Sequence, residues 1–208
     1  FDCQPDTPAD ARPCAQQIMA RLGTTAYRRP LTETNLNGLM TLYDTGAAEG
    51  GFESGVRMAL EGLLASPHFV FRLEAAPVDS NSTEGFEVRD LDLATRLSFF
   101  LWATGPDEEL RRLAAANELS TPHVLEAQVR RMLADPRAEA LATRFAAQWL
   151  RLPDLDTLHP DVRIYPDFDE QLKQAMRRET ELFFEYLVRE DRGLLDLLTA
   201  DYTFVNER

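Results

Sequence analysis

Cysteine is nearly absent from this 208-residue chain, with only Cys3 and Cys14 present. That scarcity excludes a disulfide-dense scaffold, a C-x-x-C redox pair and a paired zinc knuckle. Histidine is almost as rare. His68, His123 and His159 show no i,i+3 or i,i+4 pairing, so no two of them share a helix face as metal ligands would. Long hydrophobic runs are also missing. The richest patch, Leu97 to Trp102, stops at Gly105-Pro106, far short of the roughly 20 apolar residues that a membrane-spanning helix needs. Basic residues are in deficit, 22 against 35 acidic ones for a formal charge of −13. That field repels a phosphate backbone and argues against nucleic acid as a partner. Phosphate-loop, dinucleotide, zincin and hydrolase signatures do not occur.

What is present is globular composition, 44% hydrophobic and 27% charged, long enough to bury a sizeable core. The acidic excess reads first as a solvated surface and second as a field for docking to a basic partner. Cys3 and Cys14 flank the turn-rich Gln4-Pro5-Asp6-Thr7-Pro8. A disulfide between them is expected, with two free thiols as the alternative. The bond would pin the N-terminal arm and place the chain in an oxidising compartment, periplasmic or extracellular, on the cell surface included. No signal peptide begins the sequence, and Phe1 is not a start residue, so the chain is expected to be a mature or internal piece.

Helix signals run the length of the chain. Pro13 suits a first helical position, placing one helix near 12–28 that ends before Pro30. Thr32 caps a second helix carrying Leu36, Leu39, Met40 and Tyr43; Gly46 to Gly51 breaks it, and a third carries Val56, Leu60, Leu63 and Leu64. Pro77 to Gly85 is polar and turn-rich. Beyond it, Leu91 to Trp102, Asp107 with Glu108 and Glu109, Thr121-Pro122 and Asp135-Pro136 mark further helix starts. Residues 152–168 form an irregular crossing, Asp169 to Arg189 the longest helix, and Tyr202-Thr203-Phe204 an extended segment. No alternating strand pattern appears. The expected fold is all-α, two consecutive helical units packed as an irregular array: 1–76 with a disulfide-pinned arm, a linker at 77–87, and 88–208.

Several stretches then resemble one family: Ala26-Tyr27-Arg28-Arg29-Pro30-Leu31, Leu64-Ala65-Ser66-Pro67-His68-Phe69, Leu93 to Trp102, Gln148-Trp149-Leu150, Met176 to Phe184, and Tyr202 to Arg208. In this order they are similar to two consecutive planctomycete-specific domains of unknown function from large exported proteins. The resemblance implies a neighbouring domain with a c-type haem attachment motif. This chain has no C-x-x-C-H, so no haem is covalently held here and any haem c belongs elsewhere in the parent protein.

Individual candidates are few. His68, after Ser66-Pro67 and before Phe69-Val70-Phe71, is the candidate axial ligand to a haem on another domain; the plainer reading is a histidine hydrogen-bonded at a helix end. Arg96, on a very apolar helix, needs a partner if buried, and Glu179 is the expected one in a structural ion pair. Asp154, Asp156, Asp161, Asp167 and Asp169 gather around the irregular crossing but lack the calcium-loop pattern. Trp102 and Trp149 sit among leucines at helical spacing and read as core. The function expected is a structural and docking module supporting electron transfer by a neighbouring haem domain, with other domains of the same protein or assembly, a cytochrome among them, as partners. An exported enzyme acting on environmental polymers and a cell-surface scaffold are the alternatives.

Overall fold

The computed structural model of the chain describes residues 3–74 and 87–205. It is 71% helical, and no strand occurs among the described residues. The expected linker, apart from Glu87, lies outside the described residues, as does the Asn81-Ser82-Thr83 triplet. The chain forms two compact units: residues 1–96 with 105–122, and 97–104 with 123–208. This division does not follow the polar stretch at 77–87, because the residues just after it are bonded into the first unit.

The first unit opens with α1 (Pro8–Tyr27), earlier than Pro13 suggests. Pro8 takes the first helical position, where its missing N–H is no loss, and Pro13 falls inside the helix. The Cys3–Cys14 disulfide closes the arm onto α1, with Cα atoms 5.8 Å apart. Helix α2 (Glu33–Ala65) is capped by Thr32, whose hydroxyl accepts from the Asn35 amide. It breaks at Gly50 and Gly51, the latter at φ 77°, a left-handed conformation that glycine tolerates. Tyr43 lies directly against Gly55, where a Cβ would meet its ring and carbonyl oxygen at about 2.7 Å. Ala15, Ile18 and Met19 from α1 pack with Leu39, Met40, Tyr43, Val56, Ala59 and Leu63 from α2 to form the core.

A short α3 (Pro67–Val70) follows, capped by Ser66. Helix α4 (Asp90–Trp102) begins in this unit. Its first turn is tied down by two buried acids: Asp90 accepts from the Leu119 and Ser120 amides at 2.7 and 3.2 Å, and Asp92 pairs with Arg29 and Arg89. Both acids also face the positive end of the helix. Helix α5 (Glu108–Ala115), capped by Asp107, buries Leu110, Leu113 and Ala114.

The second unit holds the end of α4, then α6 (Pro122–Ala134), a 3₁₀ turn at Pro136–Ala138, a π-helix at Leu141–Ala146, α7 (Ala147–Trp149), a 3₁₀ helix at Leu152–Thr157, α8 (Glu170–Arg189) and α9 (Asp196–Thr199). Trp102 is buried, donates from Nε1 to the Met132 carbonyl at 2.9 Å, and carries the Arg137 guanidinium 3.5 Å from its ring centre. Asp169 caps α8 through the Leu172 amide. The extended Tyr202–Phe204 segment lays its rings on Phe183 and Tyr186 of α8.

Candidate functional site

His68 stands at α3 with its side chain exposed. Its ring tilts against Tyr27 at 5.2 Å. What fixes this segment is a residue the sequence reading passed over. Arg28 is buried, sits at φ 60° as the C-cap of α1, and donates to the carbonyls of Ala26, His68, Phe69 and Phe71 at 2.8–3.3 Å. Burial lowers the Arg28 pKa, and the neighbouring Arg29 and Arg72 push the same way. One guanidinium therefore gathers the carbonyl end of α3 against the end of α1. The fixed segment leaves Phe69, Val70, Phe71 and Leu73 in solvent, Phe71 at 59% exposure. Four apolar side chains in five residues, on a segment whose His68, Phe69 and Phe71 carbonyls a buried arginine holds, form an exposed hydrophobic hook.

Arg96 is exposed rather than buried. Its Nε donates to Glu74 at 2.7 Å, and both partners are solvent-accessible. The bond raises the Arg96 pKa and lowers that of Glu74. The position falls on the open face of α4, so the apolar neighbours in sequence bury a different side of the helix. Glu179 accepts from the Thr203 hydroxyl, joining α8 to the extended C-terminal segment.

The aspartates of the irregular crossing do not converge on a cation. Asp154 pairs with Arg151, Asp156 with Arg177, Asp161 with Arg163, and Asp169 caps α8. His123 is exposed, and His159 is exposed with Nδ1 2.8 Å from the Thr157 carbonyl oxygen. Among the described residues no group of three or more histidines, cysteines or acids is placed to hold a metal ion.

Haem does not fit these residues as a resident group. Both cysteine sulfurs are joined to each other, so neither can form a thioether. His68, an exposed imidazole against Tyr27, offers a single donor, and no group of three or more histidines, cysteines or acids gathers there among the described residues.

Trp149 corrects the core reading. It is 52% exposed and stacks on Phe145 at 6.1 Å, while Phe145 meets Phe100 edge-on at 5.2 Å. The wider winding of the π-helix turns Phe145 outward, and such bulges often mark functional positions. The row Phe100–Phe145–Trp149 presents aromatic edges and faces to solvent. Helical spacing alone could not separate this face from the buried one.

The elements and their caps thus define an all-α chain of two compact units. The chain belongs to the family PSD4, described as "Protein of unknown function (DUF1592)", which matches residues 88–208. Residues 14–74 match a second family, PSD5, "Protein of unknown function (DUF1595)". No curated protein and no solved structure matches the chain.

Proposed function

We propose that the chain is a structural and docking module of a large exported protein, supporting electron transfer that a neighbouring c-type haem domain performs. The observation that carries this reading is the hook at Phe69–Leu73, apolar, exposed and held by the Arg28 bonds. A preformed apolar projection loses little conformational entropy when a partner covers it, which favours docking over local chemistry. The second unit adds Val162, Ile164, Leu194, Leu195 and Leu198, all largely exposed. The formal charge of −13 favours a basic partner and speeds its encounter. The Cys3–Cys14 disulfide supports a periplasmic or extracellular setting. No described helix is long and apolar enough to cross a membrane.

The test is binding of the 208-residue chain to the haem-bearing domain of its parent protein, followed by sedimentation or calorimetry. Val70→Asp with Phe71→Asp should weaken the complex by about tenfold or more, as loss of a buried apolar anchor does. A parent protein without haem absorption, or an unchanged affinity, contradicts the reading.

The aromatic row favours a second reading, a contribution to substrate binding in an exported enzyme acting on polymers. Flat sugar faces stack on exposed aromatic rings such as Trp149. Affinity electrophoresis in soluble polysaccharide separates the two: retardation that Trp149→Ala abolishes supports this reading, and free migration removes it.

A further inference from the structure

Four arginines converge on one groove of the first unit. Arg21, Thr24 and Thr25 come from the last two turns of α1, Arg29 from just past its end, and Arg111 and Arg112 from α5. With Glu108 they surround a cavity of about 570 Å³, its apolar lining supplied by Ala20, Pro30, Leu91 and Ala115. The lining thus carries four cations and one carboxylate in a chain whose formal charge is −13. The cations are also of one kind, since Lys173 is the only lysine in the sequence.

The arginines differ in how far the protein satisfies them. Arg29 is held by Asp92 at 2.8 Å and Arg112 by Glu109 at 3.0 Å. Arg111 meets no carboxylate among the described residues. Its Nη1 donates to the Thr25 hydroxyl at 2.7 Å, and that hydroxyl donates in turn to the Arg21 carbonyl at 3.3 Å. The remaining Arg111 donors are left for the groove. A guanidinium offers paired, parallel N–H groups that match two oxygens of an oxyanion, which a lysine cannot do. The carbonyl end of α1 opposes an anion here, but with only about half an elementary charge against the full charges of Arg111 and its neighbours.

We propose that this groove binds a small ligand with a tetrahedral oxyanion head, phosphate or sulfate, received by Arg111 with Arg112 and Arg21 beside it. Donors arriving from two helices suit oxygens pointing in several directions better than a single planar carboxylate. The volume exceeds that of the head group many times over, given about 30 Å³ per water-sized occupant. The apolar lining is therefore free to take the organic body of an ester. This site is separate from the apolar hook and does not depend on the docking reading.

The experiment titrates the 208-residue chain with inorganic phosphate, inorganic sulfate and succinate at near-physiological salt, followed by amide chemical shifts and calorimetry. Phosphate or sulfate should saturate near ~1 mM, with the largest shifts at 20–30 and 108–115. Whichever of the two binds more tightly identifies the head group. Arg111→Gln should weaken binding about tenfold, as loss of a charged fork does. Glu108→Gln should tighten it about twofold to threefold by removing the opposing charge. Arg130→Gln, an equal charge change on α6, should leave it unchanged. The Glu108 variant keeps the test decisive even if Arg111→Gln fails to fold. Absence of binding by ~20 mM phosphate and sulfate, succinate binding as tight as either, or equal effects of the Arg111 and Arg130 variants each overturn the proposal.

Discussion

The Arg28 guanidinium donates to the His68 carbonyl at 2.8 Å, so the candidate ligand of the sequence is positioned by the residue that ends the first helix. The same guanidinium serves the carbonyls of Phe69 and Phe71. Arg28→Met removes those donors and leaves their acceptors without partners, at an expected cost of about 2–4 kcal/mol. Arg28→Lys keeps the charge but not the fork, and should cost about 1–2 kcal/mol. Denaturant midpoints at constant slope check both, and a methionine variant within about 0.5 kcal/mol of the parent would refute the role.

Glycines of α2 should respond with opposite signs. A Cβ at Gly55 meets Tyr43 at about 2.7 Å, whereas one at Gly38 meets nothing within 4 Å. Gly55→Ala is expected to destabilise by about 1–3 kcal/mol through overpacking. Gly38→Ala, on an open helix face, should stabilise by about 0.5–1 kcal/mol. Thermal melts of the two variants resolve the difference, and a shared sign would contradict the packing described for α2.

Much of this architecture was legible because local chemistry sets it. Thr32 and Asp107 act as caps at the helix starts the sequence marks, Asp169 caps the helix it was expected to open, and the break expected between Gly46 and Gly51 falls at Gly50–Gly51. The start of α1 differs from the expected one because either proline suits a first helical position, and Pro8 takes it while Pro13 falls inside the helix. Trp149, which its apolar neighbours in sequence suggest is core, is exposed, and so is Arg96, whose burial the sequence leaves open. Which side of an almost wholly apolar helix is covered depends on tertiary packing, and a π-helical turn shifts the phase that a 3.6-residue period assumes. The arginine groove draws on residues some 80–90 positions apart, so no local pattern reveals it.

The disulfide supplies the third prediction. Cys3 and Cys14 are 11 positions apart, and closing a loop of this size constrains the unfolded chain by about 3 kcal/mol. Cys3→Ala with Cys14→Ala should lower stability by ~2–3 kcal/mol, with the change read from urea midpoints. An equal loss in the parent on adding a reductant checks that the bond, and not the side chains, is responsible. No change under reduction would place the arm outside the cooperative unit.

Acid dependence follows from Asp135, whose pKa is lowered from 3.8 to about 2 by hydrogen bonds from the Arg137 side chain and amide. A carboxylate with a depressed folded pKa contributes stability that is fully present above its unfolded value. That contribution fades as pH falls through the folded value. The stability difference between the parent and Asp135→Asn should therefore be constant from neutral pH down to about 4, then shrink toward about 2. A difference that persists unchanged at the acid end would contradict the pairing.

The central claim is that this chain is a docking module whose apolar hook is covered in the parent protein. Amide hydrogen exchange compares residues 64–73 in the 208-residue chain and in the full-length protein. The hook's amides, bonded only to the Ser66 and Pro67 carbonyls of their own short turn, should exchange more slowly in the full-length protein by about tenfold or more, while the buried α1–α2 core stays unchanged. Identical exchange of 64–73 in both proteins would contradict the account.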